Sequence, residues 1–126
     1  MNQEKLLQYQ MLEQQMQVVS QNLQNVEQSL ADVNSIVESL QDFGKLKKGD
    51  KILVSLSNGI FAEAKLENSK DLKVNIGRNV VVTKSVEKTA EMMQEQVKEL
   101  QKYKEEILTY YNNLYSQLQK LQEELI

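Results

Sequence analysis

The sequence predicts an α+β fold that is mostly α-helical: a long antiparallel two-helix coiled coil with two β-hairpins inserted between the helices. Both ends of the 126-residue chain carry long apolar repeats within Gln- and Glu-rich segments, and all four glycines lie between positions 44 and 77. Helix formers therefore dominate the flanks, and strand and turn formers dominate the centre. We expect one structural domain made of a helix over 1–43, two hairpins over 44–84 and a second helix over 85–126.

The first flank has an uninterrupted apolar seam. Steps of three and four residues join ten apolar positions: Tyr9, Leu12, Met16, Val19, Leu23, Val26, Leu30, Val33, Val37 and Leu40. A 3.5-residue period kept up over this length favours a narrow coiled-coil seam over the wider apolar face of a globular helix. Gly44 follows the last seam residue, which is typical of a helix end.

The second flank repeats the pattern. Its twelve seam positions are Val86, Ala90, Met93, Val97, Leu100, Lys104, Ile107, Tyr111, Leu114, Leu118, Leu121 and Leu125, and Lys104 alone is not apolar. Ser85 is suited to cap the start of this helix. Two matched seams with a connection between them favour an antiparallel pair within one chain. The alternative is that each helix joins a separate parallel oligomer.

Antiparallel pairing predicts a mismatch at the open end of the hairpin, where Leu121 would face Lys5 instead of an apolar partner. Several apolar residues outside the seam lie in the same region. We therefore expect this tip to be frayed and unusually apolar, with local helix packing as the alternative role for each residue. The candidates for binding an apolar ligand are Leu6, Leu7, Met11, Tyr110, Tyr115, Leu121, Leu125 and Ile126.

The centre reads as four short strands. Lys51 to Leu56 and Ile60 to Leu66 alternate in polarity around Asn58-Gly59, which is a strong hairpin signal, and two further strands flank Gly77-Arg78-Asn79. Four such strands bury too little apolar surface to be secure alone, and their open edges favour pairing with another chain. We expect a subunit-assembly module, or alternatively a small sheet that folds back on its own helices. The residues predicted for assembly are Ile52, Val54, Leu56, Ile60, Leu66, Leu72, Val74, Ile76, Val80 and Val82.

Composition argues against most kinds of chemistry. The chain contains no Cys, His, Trp or Pro, so disulfides, Cys/His metal sites and His-based catalysis have no residues to use. It has no phosphate-binding Gly-rich motif and no apolar run near membrane-spanning length. We therefore expect no enzyme activity, no cofactor, no metal and no membrane partner. The cysteine-free sequence fits a cytoplasmic location.

The central segment is basic, with nine Lys or Arg against five acids over residues 41–85. A cluster at 45–48 could indicate nucleic-acid binding. However, the whole chain is acidic, with a net charge of −3, and no aromatic platform accompanies the basic residues. We expect a solvated loop and no nucleic-acid partner.

The central pattern resembles the alpha-class subunits of prefoldin. The matching runs are Leu53-Val54-Ser55-Leu56, Gly59-Ile60-Phe61, Ala64-Lys65-Leu66, Val74-Asn75-Ile76-Gly77 and the residues from Val80 to Lys88. Two hairpins, rather than one, between the helices favour the alpha class over the beta class. Ser55 departs from the Pro common in the family, and Arg78-Asn79 replaces a turn that commonly contains Gly.

The resemblance implies an ATP-independent chaperone, a holdase. Two alpha and four beta subunits would join through their strands into a double β-barrel, with coiled-coil tips that hold unfolded polypeptide and pass it to a group II chaperonin. Two alternative functions remain compatible with the sequence: a filament-forming relative of prefoldin, and a purely structural coiled-coil tether.

Overall fold

The structure is a computed structural model that describes residues 3–125. Its elements are α1 (Gln3–Phe43), β1 (Lys51–Ser57), β2 (Ile60–Lys65), β3 (Asp71–Asn75), β4 (Val81–Ser85) and α2 (Val86–Leu125). The strands form two separate two-stranded sheets, β1-β2 and β3-β4. The predicted fold class is confirmed: two long helices with two hairpins between them.

The chain divides into two compact units, whose boundaries fall within the helices. Unit 1 consists of the described parts of Met1–Asp32 and Val97–Ile126, and unit 2 is Val33–Gln96. Every seam position that falls in residues 3–125 is buried or half-buried, in both units. The 3.5-residue period therefore identified the packed side of each helix.

Unit 1 has a continuous apolar core along the seam. Its buried cluster is Val19, Val26, Leu30, Ile107 and Leu114, and six half-buried seam residues pack against it: Leu12, Met16, Leu23, Val97, Leu100 and Tyr111. Burying such side chains is the main stabilising term for a helix pair, since each contributes roughly 1.5–3 kcal/mol when fully buried. The apolar residues of this unit that lie outside the seam are not part of this core and are exposed at the surface.

Two ion pairs within unit 1 establish that the helices run antiparallel. Lys5 Nζ lies 3.1 Å from Glu124 Oε2, and Lys104 Nζ lies 3.6 Å from Glu27 Oε1. Position numbers thus rise along α1 as they fall along α2. Lys104, the polar break in the second seam, keeps its aliphatic stem half-buried and directs its ammonium outward to a carboxylate.

In unit 2, helix α2 begins with a side-chain cap at Ser85, as the sequence predicts. Ser85 Oγ accepts a hydrogen bond from the backbone N–H of Lys88 at 3.1 Å. The Thr89 hydroxyl donates to the Ser85 carbonyl oxygen at 2.8 Å, and Thr89 is buried. The cap satisfies a backbone donor that the first helical turn leaves free. The burial of Thr89, a polar residue beside the seam, was not anticipated from the sequence.

The first hairpin pairs β1 with β2 around Asn58-Gly59. Ile52 pairs with Ala64 and Val54 with Ala62, so these four side chains share one face, as alternation predicts. The register shifts between Ser55 and Ser57, and Ser57 pairs with Ile60. The bulge takes Leu56 out of the regular pairing, which interrupts the predicted continuous face of Ile52, Val54 and Leu56. Gly59 has φ +76°, a backbone conformation that glycine adopts without strain.

The second hairpin turns through two left-handed residues that are not glycine. Arg78 has φ 51° and Asn79 has φ 60°, and Val80 N–H donates to the Gly77 carbonyl oxygen at 2.9 Å. These features define a type I′ turn, for which Asn-Gly is the preferred central pair. Arg at the first central position therefore stores backbone strain, because its Cβ disfavours the left-handed region.

We expect the double substitution Arg78→Asn, Asn79→Gly to stabilise the β3-β4 hairpin by about 0.5–1 kcal/mol, because it gives the turn its preferred residues. Native-state amide hydrogen exchange in β3 and β4 measures the effect. Gly59→Ala in the β1-β2 turn is the opposite-sign control, measured by exchange in β1 and β2: no atom would crowd the new Cβ, so only the φ of +76° opposes it. Unchanged exchange in the double variant would contradict the strain assigned to Arg78.

Candidate functional site

The first candidate surface is the end of unit 1 that holds residues 3–11 and 110–125. Five of the residues predicted for apolar binding lie there with 39% to 58% of their surface exposed: Leu6, Leu7, Met11, Tyr110 and Tyr115. They are exposed because the seam of each helix is already filled by other residues, so off-seam side chains project away from the partner helix. The surface is called the tip cluster below.

Of the other three predicted members, the two that the structure describes are buried or half-buried. Leu121 is only 8% exposed, Leu125 is half-buried, and Ile126 lies outside the described residues. The expected fraying is absent over residues 3–125, since α1 begins at Gln3 and α2 continues to Leu125. We attribute the absence of fraying to Lys5. It is half-buried four residues before Tyr9, where the seam would continue, and its ion pair with Glu124 holds its aliphatic stem along the seam. The expectation that Leu121 lies in a frayed tip is therefore not met.

A groove beside the tip cluster was not predicted from the sequence. It has a volume of about 480 Å³ and brings Tyr110 of α2 together with α1 residues, which are Met11, Gln14, Gln15, Val18, Val19 and Asn22. Val18 is 61% exposed, although it is strongly apolar. The signal available in the sequence was that Val18 is an apolar residue outside the seam.

The groove carries no charged side chain, so it offers apolar contacts and neutral amide groups. On its other side Tyr110 borders a polar recess that includes Lys102, Glu105 and Glu106. Tyr110 thus stands between an uncharged surface and a charged one. Amide side chains both donate and accept hydrogen bonds, as a peptide backbone does, and Met adapts its shape to varied neighbours. This arrangement suits non-covalent binding of polypeptide.

The second candidate surface is the pair of hairpins in unit 2. Five residues predicted for assembly are half-buried: Ile52, Leu66, Leu72, Val74 and Val82. The other five are exposed in the single chain: Val54, Leu56, Ile60, Ile76 and Val80. Three more exposed apolar residues were not assigned to assembly: Leu53, Phe61 and Val81. Apolar side chains therefore lie on both faces of the β1-β2 hairpin, whereas alternation led us to assign only one.

Neither surface has the features of a catalytic or metal site. Among residues 3–125, no group of three or more acidic side chains is arranged to hold a metal ion. Within the same residues, no helix is both long and apolar enough to cross a membrane. The two candidate surfaces of the described residues are rich in exposed apolar side chains.

Comparisons with known proteins agree with one family. The family model described as "Prefoldin subunit" matches residues 7–125. A prefoldin subunit alpha from Archaeoglobus fulgidus is 28% identical over 123 residues, covering 98% of this chain and 90% of the relative. A prefoldin subunit alpha from Thermofilum pendens is 26% identical over 92 residues, covering 73% of this chain and 71% of the relative.

A solved structure has the same fold. The cryo-EM structure of filamentous PFD from Methanocaldococcus jannaschii matches with a TM-score of 0.79 and covers 98% of this chain and 99% of its own. The two sequences are 17% identical, so this likeness concerns the fold. With the family model spanning nearly all of the described residues, the chain belongs to the prefoldin family, and its similarity within that family is to alpha-class subunits.

Proposed function

We propose that this chain is the alpha-class subunit of an ATP-independent holdase, which captures unfolded polypeptide on its tip cluster and delivers it to a group II chaperonin. Prefoldins are non-enzymatic chaperone co-factors, and the chain has that general role as a member of the family. The observation that carries the finer proposal is the exposure of Leu6, Leu7, Met11, Tyr110 and Tyr115 beside a seam that is otherwise closed.

The tip cluster supports weak and reversible capture. A fully buried side chain of this kind contributes roughly 1.5–3 kcal/mol, and a shallow contact contributes less. Ordering and desolvation offset much of that gain, so one tip binds an unfolded segment weakly. Several tips that engage one client raise the overall affinity without any new kind of contact, and each contact still dissociates quickly. Such binding suits a chaperone that must release its client without ATP.

The hairpins of unit 2 support assembly with sister subunits. Each is only a two-stranded sheet, with unpaired strand edges and exposed apolar residues. Isolated two-stranded sheets are marginal in water and gain stability when further strands are added. We propose a hexamer of two alpha and four beta subunits joined through these strands. We also propose a cytoplasmic location, because a chain without Cys has no disulfide that a reducing environment would break.

Native mass measurement and an aggregation assay test the proposal together. The chain is purified alone and with a beta-class prefoldin subunit, and each sample is added to a chemically unfolded client during dilution. We expect a defined hexamer in the mixed sample, with suppression of client aggregation in the absence of ATP. A ladder of open polymers would favour a filament, and a stable assembly without client protection would favour a structural tether; either result contradicts the proposal.

Val54→Asp combined with Val74→Asp is expected to prevent hexamer assembly, since it places two carboxylates on the faces predicted to join subunits. The helices of unit 1 contain neither residue and should remain formed. Native mass reports assembly, and circular dichroism reports helix content. Ile36→Asp is the control, because Ile36 is exposed to a similar extent as Val54 but lies on α1. Loss of helix in step with loss of assembly would count against separate roles for helices and hairpins.

A further inference from the structure

Met11 is the exposed methionine of the described residues. The sequence has five methionines, of which Met1 lies outside the described residues. Met11 is 53% exposed, whereas Met16, Met92 and Met93 are half-buried. Met16 also packs against the core of unit 1. Within the part of the chain that the structure describes, the thioether side chain most open to a dissolved reagent is therefore that of Met11.

The composition of the chain directs a peroxide to methionine. Thiols and thioethers are the side chains that lose two electrons to peroxides, and the sequence contains no Cys. The sulfur of a methionine attacks one oxygen atom of hydrogen peroxide, and an S–O bond forms as the O–O bond breaks. The products are methionine sulfoxide and one molecule of water, so the sulfur is oxidised by two electrons and the peroxide is reduced.

Met11 occupies the middle of an apolar stripe on one face of α1. Leu7 precedes it by four residues and Val18 follows it by seven, a spacing that places all three on the same side of the helix. Leu7 is 58% exposed and Val18 is 61% exposed. Met11 and Val18 also line the same groove. A polar group at Met11 would therefore divide one continuous apolar stripe into two isolated side chains.

The groove offers hydrogen-bond donors to a sulfoxide oxygen. Gln14 and Gln15 lie three and four residues after Met11, on the same side of the helix, and both line the groove with it. A thioether sulfur is a weak acceptor, whereas a sulfoxide is polar and its oxygen can accept from the side-chain amides. An apolar client segment that covered this oxygen would strip water from it, which opposes binding.

Oxidation of a half-buried methionine would act differently. A sulfoxide at Met16 would place a polar oxygen in the helix seam, where it destabilises the packing of unit 1. A sulfoxide at Met11 changes an exposed surface and leaves the buried cluster intact. The two kinds of damage can therefore be distinguished, because the first lowers the stability of the helix pair and the second changes what its surface binds.

We propose that Met11 is a reversible oxidation site, and that its conversion to the sulfoxide by hydrogen peroxide lowers the affinity of the tip cluster for unfolded polypeptide. The effect on affinity rests on the proposed function, whereas the selective oxidation does not. Methionine sulfoxide reductases reverse the change. Two thiols are then oxidised to a disulfide, and the sulfoxide oxygen leaves as water.

The first measurement is the rate of oxidation at each methionine. The full-length chain is treated with hydrogen peroxide, the excess peroxide is removed, and peptide mass mapping gives the oxidised fraction at each position. We expect Met11 to be oxidised about tenfold faster than Met16, Met92 and Met93, because it is the most accessible of the four. Met1 gives a separate peptide signal. If Met11 is oxidised no faster than the other three, the site assignment is overturned and the proposed function is unaffected.

The second measurement is client binding. The oxidised chain is freed of peroxide and then assembled with an untreated beta-class subunit, so the partner is not modified. The probe is a fluorescently labelled protein that is kept unfolded by reduction and alkylation of its cysteines. Oxidation should raise the Kd for this probe by about three- to tenfold, as expected when one apolar side chain of the tip no longer contributes its buried surface. Reductases for both sulfoxide epimers should restore the original Kd.

Two variants connect the change to Met11, and each is compared with its own untreated sample. Met11→Leu has no sulfur at this position, so peroxide should leave its Kd within about twofold of the untreated value. Met16→Leu is the matched control, because it removes another methionine of α1 by a swap that cores tolerate and keeps Met11. Its Kd should rise on oxidation as that of the parent chain does.

The outcomes distinguish this inference from the proposed function. If Met11 is oxidised and the Kd does not change, or if Met11→Leu responds to peroxide as the parent chain does, the effect on affinity is overturned and the proposed function stands. If the untreated assembly does not bind the unfolded probe, both are overturned. Circular dichroism should show the same helix content before and after oxidation. A loss of helix that accompanies the rise in Kd would assign that rise to damaged packing and overturn the role of Met11.

Discussion

Replacement of Leu7, Met11, Tyr110 and Tyr115 by Gln in this chain should strongly reduce the suppression of client aggregation. All four side chains are about half exposed and lie outside the packed seam, so their removal takes away contact area for clients without opening the core. Glutamine keeps a high helix propensity and already occurs at several positions of both helices. Because several tips hold one client together, losing the contacts of the tips that this chain contributes lowers the overall affinity of the assembly. Light scattering of a diluted unfolded client measures the loss.

The matched control for that variant removes exposed apolar side chains elsewhere on the helices. Ile36→Gln with Tyr103→Gln deletes two residues that are 44% and 49% exposed and are not part of the tip cluster. This control should protect clients as the parent chain does. Native mass should show the same hexamer for both variants. If the variant with four substitutions protects clients as well as the parent chain does, or if the control loses as much protection as that variant, the tip cluster is not the binding surface.

Leu114→Ala should lower the free energy of unfolding of the helix pair by about 2–5 kcal/mol, the range for truncating a buried Leu. Leu114 is the most buried core residue, at 3% exposure, and it belongs to the cluster that closes the seam of unit 1. The missing atoms leave a cavity that the surrounding helices fill only in part. Ala has a high helix propensity, so the loss comes from packing and not from the backbone.

Leu108→Ala makes the same chemical change on the same helix and serves as its control. Leu108 is 37% exposed, so its replacement by Ala should lower the free energy of unfolding by about 1 kcal/mol or less. Urea unfolding followed by circular dichroism gives both values on the assembled protein and on the chain alone. Equal losses at the two positions would contradict the assignment of the seam as the stabilising core.

The helix seams could be predicted from the sequence because their signal is local and repeated. Each seam residue lies three or four positions from the next, and an isolated exception such as Lys104 does not disturb the pattern. The cap at Ser85 and both hairpins also follow from nearby residues, since turn-forming residues and alternation act over a few positions. These elements depend little on how distant parts of the chain meet.

The features that were missed depend on three-dimensional detail. Leu121 was expected to lie in a frayed tip because it faces Lys5 instead of an apolar residue, but the half-buried position of Lys5 and its pairing with Glu124 could not be read from residue type. The bulge before Ser57 depends on turn geometry, and it removes Leu56 from the predicted face. Alternation places Ile52 and Val54 on one face of the first hairpin and Leu53 and Phe61 on the other. It does not say which of the two faces another chain covers.

The Lys5–Glu124 pair has a consequence for the end of unit 1 that carries the tip cluster. It joins the first turn of α1 to the last turn of α2 through a contact that is itself half exposed to solvent. Such exposed pairs contribute about 1 kcal/mol or less, and dissolved ions weaken them further. High ionic strength is therefore expected to loosen only these terminal turns, while the burial of Leu121 keeps the seam beside them closed.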